Sequence, residues 1–119
     1  MADTPRRLDI CRAAILKRDF AALAEITELD SNLMHAVMIT SAPPLFYWQE
    51  ATLTVMQEIR LARAKGLAAC TSVDAGPNVH VICEKAAAEE TAKLIGSIPG
   101  VREVRTTQVG GPARIVKSN

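Results

Sequence analysis

The spacing of apolar residues changes once along this chain, at Gly66, and that change limits the folds open to it. Before Gly66 the apolar positions recur at three- and four-residue steps. Leu8, Cys11, Ala14 and Ile15 form one stripe between Arg7 and Lys17. Phe20, Leu23, Ile26 and Leu29 form a second stripe behind Asp19, whose carboxylate suits a helix N-cap. A third helical stretch covers Leu33 to Met38. Pro43-Pro44 stops it, because a proline pushes the residue before it out of the α region. Thr52 to Lys65 is helical again. Leu53, Met56, Ile59 and Leu61 are expected inward, Arg60, Arg63 and Lys65 outward, with Gly66 closing the helix.

After Gly66 the pattern is that of strands. Leu67 to Val73 and Val79 to Cys83 read as two strands, and Glu84 to Ile98 as an alanine-rich helix with Leu94, Ile95 and Ile98 on its apolar face. Pro99-Gly100 is a turn. Val101 to Val109 alternates as a third strand should, until Gly110-Gly111-Pro112 breaks it before Ile115 and Val116. A helical block followed by β-β-α-β predicts an α+β fold: a two-layer sandwich with helices packed on one face of a mainly antiparallel sheet. No repeat, low-complexity run or long linker divides the chain, so residues 1–119 read as a single domain.

Composition removes several function classes. The net charge of +1 gives no basic or acidic excess for nucleic acid or a membrane surface. Phe46, Tyr47 and Trp48 are adjacent, which argues against a platform for stacking bases. Cys11, Cys70 and Cys83 are odd in number and far apart. They make no disulfide framework, and a reducing cytoplasm is the default. No signal peptide or membrane span is visible, so a cytoplasmic location is expected. A hairpin register puts Cys70 and His80 on one face and Cys83 on the other. With no second Cys or His pair at hand, no metal site is expected.

Asp74-Ala75-Gly76-Pro77-Asn78, between the two strands, is the most informative stretch. Gly76 offers backbone freedom, Pro77 fixes a dihedral and Asn78 tolerates a left-handed conformation. The loop sets a carboxylate at a strand end, with small Ala75 and Gly76 beside it so that a ligand can approach the backbone. On turn chemistry alone it reads as an ordinary hairpin connection with Asp in a turn-favoured place.

The surroundings change that reading. Asp30-Ser31-Asn32-Leu33-Met34-His35-Ala36-Val37-Met38 is followed by Ser41-Ala42-Pro43-Pro44-Leu45-Phe46-Tyr47, then by Asp74-Ala75-Gly76-Pro77-Asn78-Val79 and Gly110-Gly111-Pro112. In this order and spacing the blocks resemble the C-terminal domain of diphosphomevalonate decarboxylases, members of the superfamily of galactokinase, homoserine, mevalonate and phosphomevalonate kinases. The resemblance runs from about Cys11 onward. It implies conversion of ATP and 5-diphosphomevalonate into isopentenyl diphosphate, carbon dioxide, ADP and phosphate. The tertiary hydroxyl is phosphorylated first, and loss of that phosphate drives decarboxylation. Asp74 matches the family's essential aspartate, a base or orienting group at the substrate hydroxyl, and Ala75 matches a neighbour that lines the substrate. A carboxylate in that role is physically reasonable, because phosphoryl transfer depends mainly on positioning and charge stabilisation.

The resemblance also marks what these 119 residues lack. The family's Gly/Ser-rich nucleotide loop, which cradles phosphates at a helix N-terminus, has no counterpart here, and Gly110-Gly111-Pro112 is too short to replace it. The family's cations that bind the substrate diphosphate are not matched either. The expectation is therefore a C-terminal half without its ATP-binding half. ATP and magnesium serve the full enzyme and neither is held by this chain alone. Its partner would be the N-terminal half, supplied in the same or a split chain, with a homodimer implied by the family. Two rivals remain at this point: a phosphomevalonate decarboxylase segment, and a small ligand-binding module without catalysis.

Other residues have plainer readings. His35 is expected to be a packed helix histidine bonded to backbone. Ser31 and Asn32 read as caps for the helix after them. Met34 and Met38 read as core fillers. Arg102, Glu103 and Arg105 read as the solvated face of the third strand. Phe46-Tyr47-Trp48 suits either packing over the domain edge or a surface against the other half.

Overall fold

The computed structural model describes residues 3–117. Helix α1 spans Thr4–Lys17, α2 Phe20–Ile39 and α3 Glu50–Ala64. Strands β1 (Ala69–Val73) and β2 (Val79–Cys83) follow, then a single 3₁₀ turn at Lys85–Ala87 and helix α4 at Ala88–Gly96. The α+β class agrees with the sequence reading, as does the order of elements from α3 to α4.

Asp19 caps α2 as expected, its carboxylate accepting from the Ala22 N–H at 3.1 Å. The second and third predicted helices are one continuous helix, because nothing between Leu29 and Leu33 interrupts the backbone ladder. Ser31 and Asn32 are therefore interior helix positions and cap nothing. Gly66 follows α3 with φ +107, the left-handed conformation that ends helices without a Cβ penalty.

The strands pair antiparallel, Ala69 opposite Cys83 and Val73 opposite Val79. Residues 69, 71, 73, 79, 81 and 83 share one face. Against it pack Val55 and Ile59 of α3, Leu94 and Ile95 of α4, and Ile98, forming the core. The inward face of α3 is thus Thr52, Val55 and Ile59. Leu53 and Leu61, expected inward, are exposed, because the 52-55-59 stripe is the one aimed at the sheet. Met34 is likewise exposed on α2 rather than in the core.

Backbone groups on β1 alternate between its two edges. Glu84 N–H donates to Ala68 O, so the even-numbered residues bond toward β2 and residues 69, 71 and 73 present theirs to the outer edge. Helix α2 lies along that edge and closes it with side chains. Glu28 accepts from the Thr71 N–H at 3.2 Å, and Ser31 and His35 bond the Val73 peptide. Arg63 of α3 donates to Ala69 O at 2.9 Å and makes a two-pronged ion pair with Glu28 at 2.6 and 2.7 Å. That hydrogen-bonded pairing raises the Arg63 pKa further above its ordinary value.

The predicted third strand does not form. Val101 packs on the core, but residues 102–117 are exposed and take no regular structure. The outer edge of β1 is taken by α2, and among the described residues the segment after Val101 forms no ladder with the free edge of β2. Without one, an alternating sequence leaves its backbone to water.

Gly100 sits at φ +92, and a Cβ there would meet the Ala51 Cβ at 3.0 Å, whereas a Cβ at Gly76 would meet nothing within 4 Å. Urea unfolding is expected to register a loss of about 1–2 kcal/mol for Gly100→Ala and a change within about 1 kcal/mol for Gly76→Ala. Ile59→Ala, which empties the centre of the core, should cost about 2–5 kcal/mol in the same measurement.

Candidate functional site

Asp74 follows β1 directly, so whatever holds Val73 also sets the start of the loop. Val73 N–H donates to Ser31 Oγ at 2.9 Å. Val73 O accepts from Ser31 Oγ at 3.2 Å and lies 2.7 Å from His35 Nε2. A carbonyl only accepts, so His35 Nε2 carries the proton. His35 is 2 % exposed and Ser31 6 %. The expectation for His35, a packed histidine bonded to backbone, matches this geometry.

The far side of the loop is tied to another helix. Thr52 Oγ1, in the first turn of α3, donates to Pro77 O at 2.7 Å and accepts from the Gln49 N–H at 3.2 Å. Within the loop, Gly76 N–H reaches Asp74 O at 2.9 Å. Neither Gly76 nor Asn78 adopts positive φ, so the left-handed conformation expected here is not used. Two helices fix the loop ends instead.

Trp48 packs against the His35 ring at a 40° tilt, 4.9 Å between centroids, and Tyr47 meets it edge-on at 6.5 Å. Of the three adjacent aromatics, these two fold back over the helix, while Phe46 remains exposed.

The Asp74 side chain stands in solvent, 81 % exposed, with His80 Nε2 at 3.7 Å. Ala75 is exposed beside it. The sequence reading sets this carboxylate at a strand end beside small residues, and among the described residues it lines no cleft. A shallow depression of about 430 Å³, lined by Ala62, Lys65, Leu67, Glu90, Lys93 and Leu94, lies toward the opposite end of β1. The physical reason is plain: β1, α2 and α3 wall the loop on its inner side, and no described segment covers its outer side.

Sequence reasoning passed over Ser31 and Thr52 as supports of this loop. The available signal was Ser31 and His35 one helical turn apart, two polar side chains on a face that also carries Ala24 inward.

The residues preceding the four helices are Asp3, Asp19, Gln49 and Ala87, and no glycine-rich loop precedes any of them. Among the described residues no group of three His, Cys, Asp or Glu side chains is placed to hold a metal. The strand register puts Cys70 with His80 on one face and Cys83 on the other. No helix among them is long and apolar enough to cross a membrane.

Residues 2–116 match the model of the mevalonate 5-diphosphate decarboxylase C-terminal domain. The chain belongs to that family. It is 31 % identical to the diphosphomevalonate decarboxylase of Candida albicans, over 97 % of this chain and 33 % of that protein. The fold matches the mevalonate diphosphate decarboxylase from Enterococcus faecalis with a TM-score of 0.75 and 35 % identity, over 80 % of this chain and 30 % of that one. A solved relative described as MDDEF in complex with MVAPP, AMPPCP and magnesium matches at TM-score 0.77 and 33 % identity, over 83 % of this chain and 31 % of that one. The chain thus spans about a third of the length of these decarboxylases.

Cys70, fully buried on β1, belongs to this scaffold rather than to its chemistry. Burial, reinforced by the Glu28 carboxylate, pushes its thiol up to about 11. The unfolded thiol ionises near 9, so between pH 9 and 11 the unfolded state sheds a proton that the folded state keeps. Stability is full below that window and falls as pH rises through it, by about 2–3 kcal/mol. The stability measured by urea unfolding should fall about 2–3 kcal/mol more for the native chain than for Cys70→Ala across that range.

Proposed function

We propose that this chain is the C-terminal, acid-bearing part of an ATP-dependent decarboxylase that makes isopentenyl diphosphate from 5-diphosphomevalonate, in the mevalonate route to isoprenoids. The observation that carries the reading is the Asp74 loop. In a chain matching the decarboxylase C-terminal domain from residue 2 to 116, that loop is held at the end of β1 by two helices. Asp74 supplies the carboxylate that aligns or deprotonates the tertiary hydroxyl of the substrate, and Ala75 lines the substrate beside it. Exposure of Asp74 in these residues suits a loop whose opposite wall comes from elsewhere in a longer enzyme.

ATP and magnesium, in this reading, bind outside this chain, because no helix N-terminus among the described residues follows a glycine-rich loop. The relative bound to AMPPCP and magnesium supports their place in the whole enzyme. Once bound, they supply and activate the transferred phosphoryl group. The N-terminal half is the partner that completes the site, in one chain or as a separate one. Leu33 and Val37 of α2, one helical turn apart, are exposed, and they give such a partner apolar side chains to cover. A cytoplasmic homodimer follows from the family reading.

The isolated chain, mixed with ATP, magnesium and 5-diphosphomevalonate, is expected to release no carbon dioxide or phosphate. Restoring a polypeptide with the nucleotide-binding half should restore turnover. In that restored enzyme Asp74→Asn should lower kcat by about 10²–10⁴-fold. Full turnover by the 119-residue chain alone would overturn the assignment.

A further inference from the structure

We infer that Ser31 and His35 are positioning residues for the Asp74 carboxylate, acting through the Val73–Asp74 peptide; this rests on Asp74 being the acid of the proposed decarboxylase. The Val73 carbonyl and the Asp74 Cα lie in one rigid peptide plane. Two donors converge on that carbonyl, His35 Nε2 at 2.7 Å and Ser31 Oγ at 3.2 Å. Ser31 Oγ also takes the Val73 N–H at 2.9 Å. Both side chains come from α2, one turn apart, so they move as a single body and leave that plane little freedom to rotate.

Closing a strand edge does not require this much. Thr71 N–H and Ala69 O on the same edge each take a single side-chain partner, Glu28 and Arg63. The doubled hold falls on the one peptide that carries the acid. The His35 ring is itself oriented by Trp48 and Tyr47. The loop's far end is fixed separately by Thr52 on Pro77. The Asp74 carboxylate has no hydrogen bond of its own among the described residues, only His80 at 3.7 Å, so its aim is set through its backbone.

The test uses the intact enzyme that carries this segment, with kcat and KM for 5-diphosphomevalonate measured per folded molecule, the folded fraction read by thermal melting. Ser31→Ala and His35→Phe are expected to lower kcat about 10–100-fold with KM within about twofold. His35→Gln, whose amide N–H can donate to the same carbonyl, should recover most of the loss. A merely structural role would lower the melting temperature and leave kcat per folded molecule unchanged, and that result overturns the inference. Should His35→Phe not fold, Ser31→Ala, which removes a single oxygen, decides alone. Asp74→Asn is measured alongside. If it keeps full kcat, the decarboxylase reading itself falls. If it is inactive while Ser31→Ala and His35→Phe keep full kcat, only the positioning role falls.

Discussion

The fold depends on how α2 closes the outer edge of β1. An unpaired strand edge carries donors and acceptors that need partners or water. Here Glu28, Ser31 and His35, at helical steps of three and four, meet backbone groups at residues 71 and 73, at the strand step of two. The match works because both spacings advance along the same line. It leaves β1 enclosed, with β2 on one edge, α2 on the other and α3 and α4 beneath. That closure buries Cys70 deeply enough to keep its thiol protonated well into the alkaline range.

The same contact sets the geometry of the Asp74 loop. A five-residue connection between two strands has many conformations open to it, and its sequence alone does not choose among them. Ser31 and His35 grip the residue before it, and Thr52 grips Pro77 within it. The loop's ends are therefore carried by two helices that also bury the core. A disturbance in how α2 or α3 packs would reach Asp74 through these bonds. The outer side of the loop is open, as expected of a chain spanning a third of the decarboxylases it matches.

The legibility of each element follows from how local its cause is. Helices α1 and α3, the start of α2 and the hairpin are readable because periodicity, the Asp19 cap, the Gly66 stop and the Asp74–Asn78 turn act over a few residues. Asp74 and Ala75 were singled out by the motif and its surroundings. Ser31 was misread as a cap because Ser before an apolar helix fits that role well, and only the strand packed beside it reveals its partner. Leu53 and Leu61 were placed inward because they repeat at helical spacing, but the helix turns its 52-55-59 stripe to the sheet. Val101 to Val109 has the alternation of a strand but forms no ladder among the described residues, although the outer edge of β2 is free.

By itself, then, the sequence determined the change from helix to strand at Gly66, the two-layer class, and which loop carries the carboxylate. These follow from dihedral preferences and apolar spacing within short windows. Tertiary structure alone decided that α2 serves as the missing neighbour of β1, that His35 and Ser31 converge on one carbonyl, and that Asp74 stands open to solvent. Those outcomes depend on residues about forty positions apart meeting in space, and the spacing of side chains within any one segment carries no record of which distant backbone group they will find.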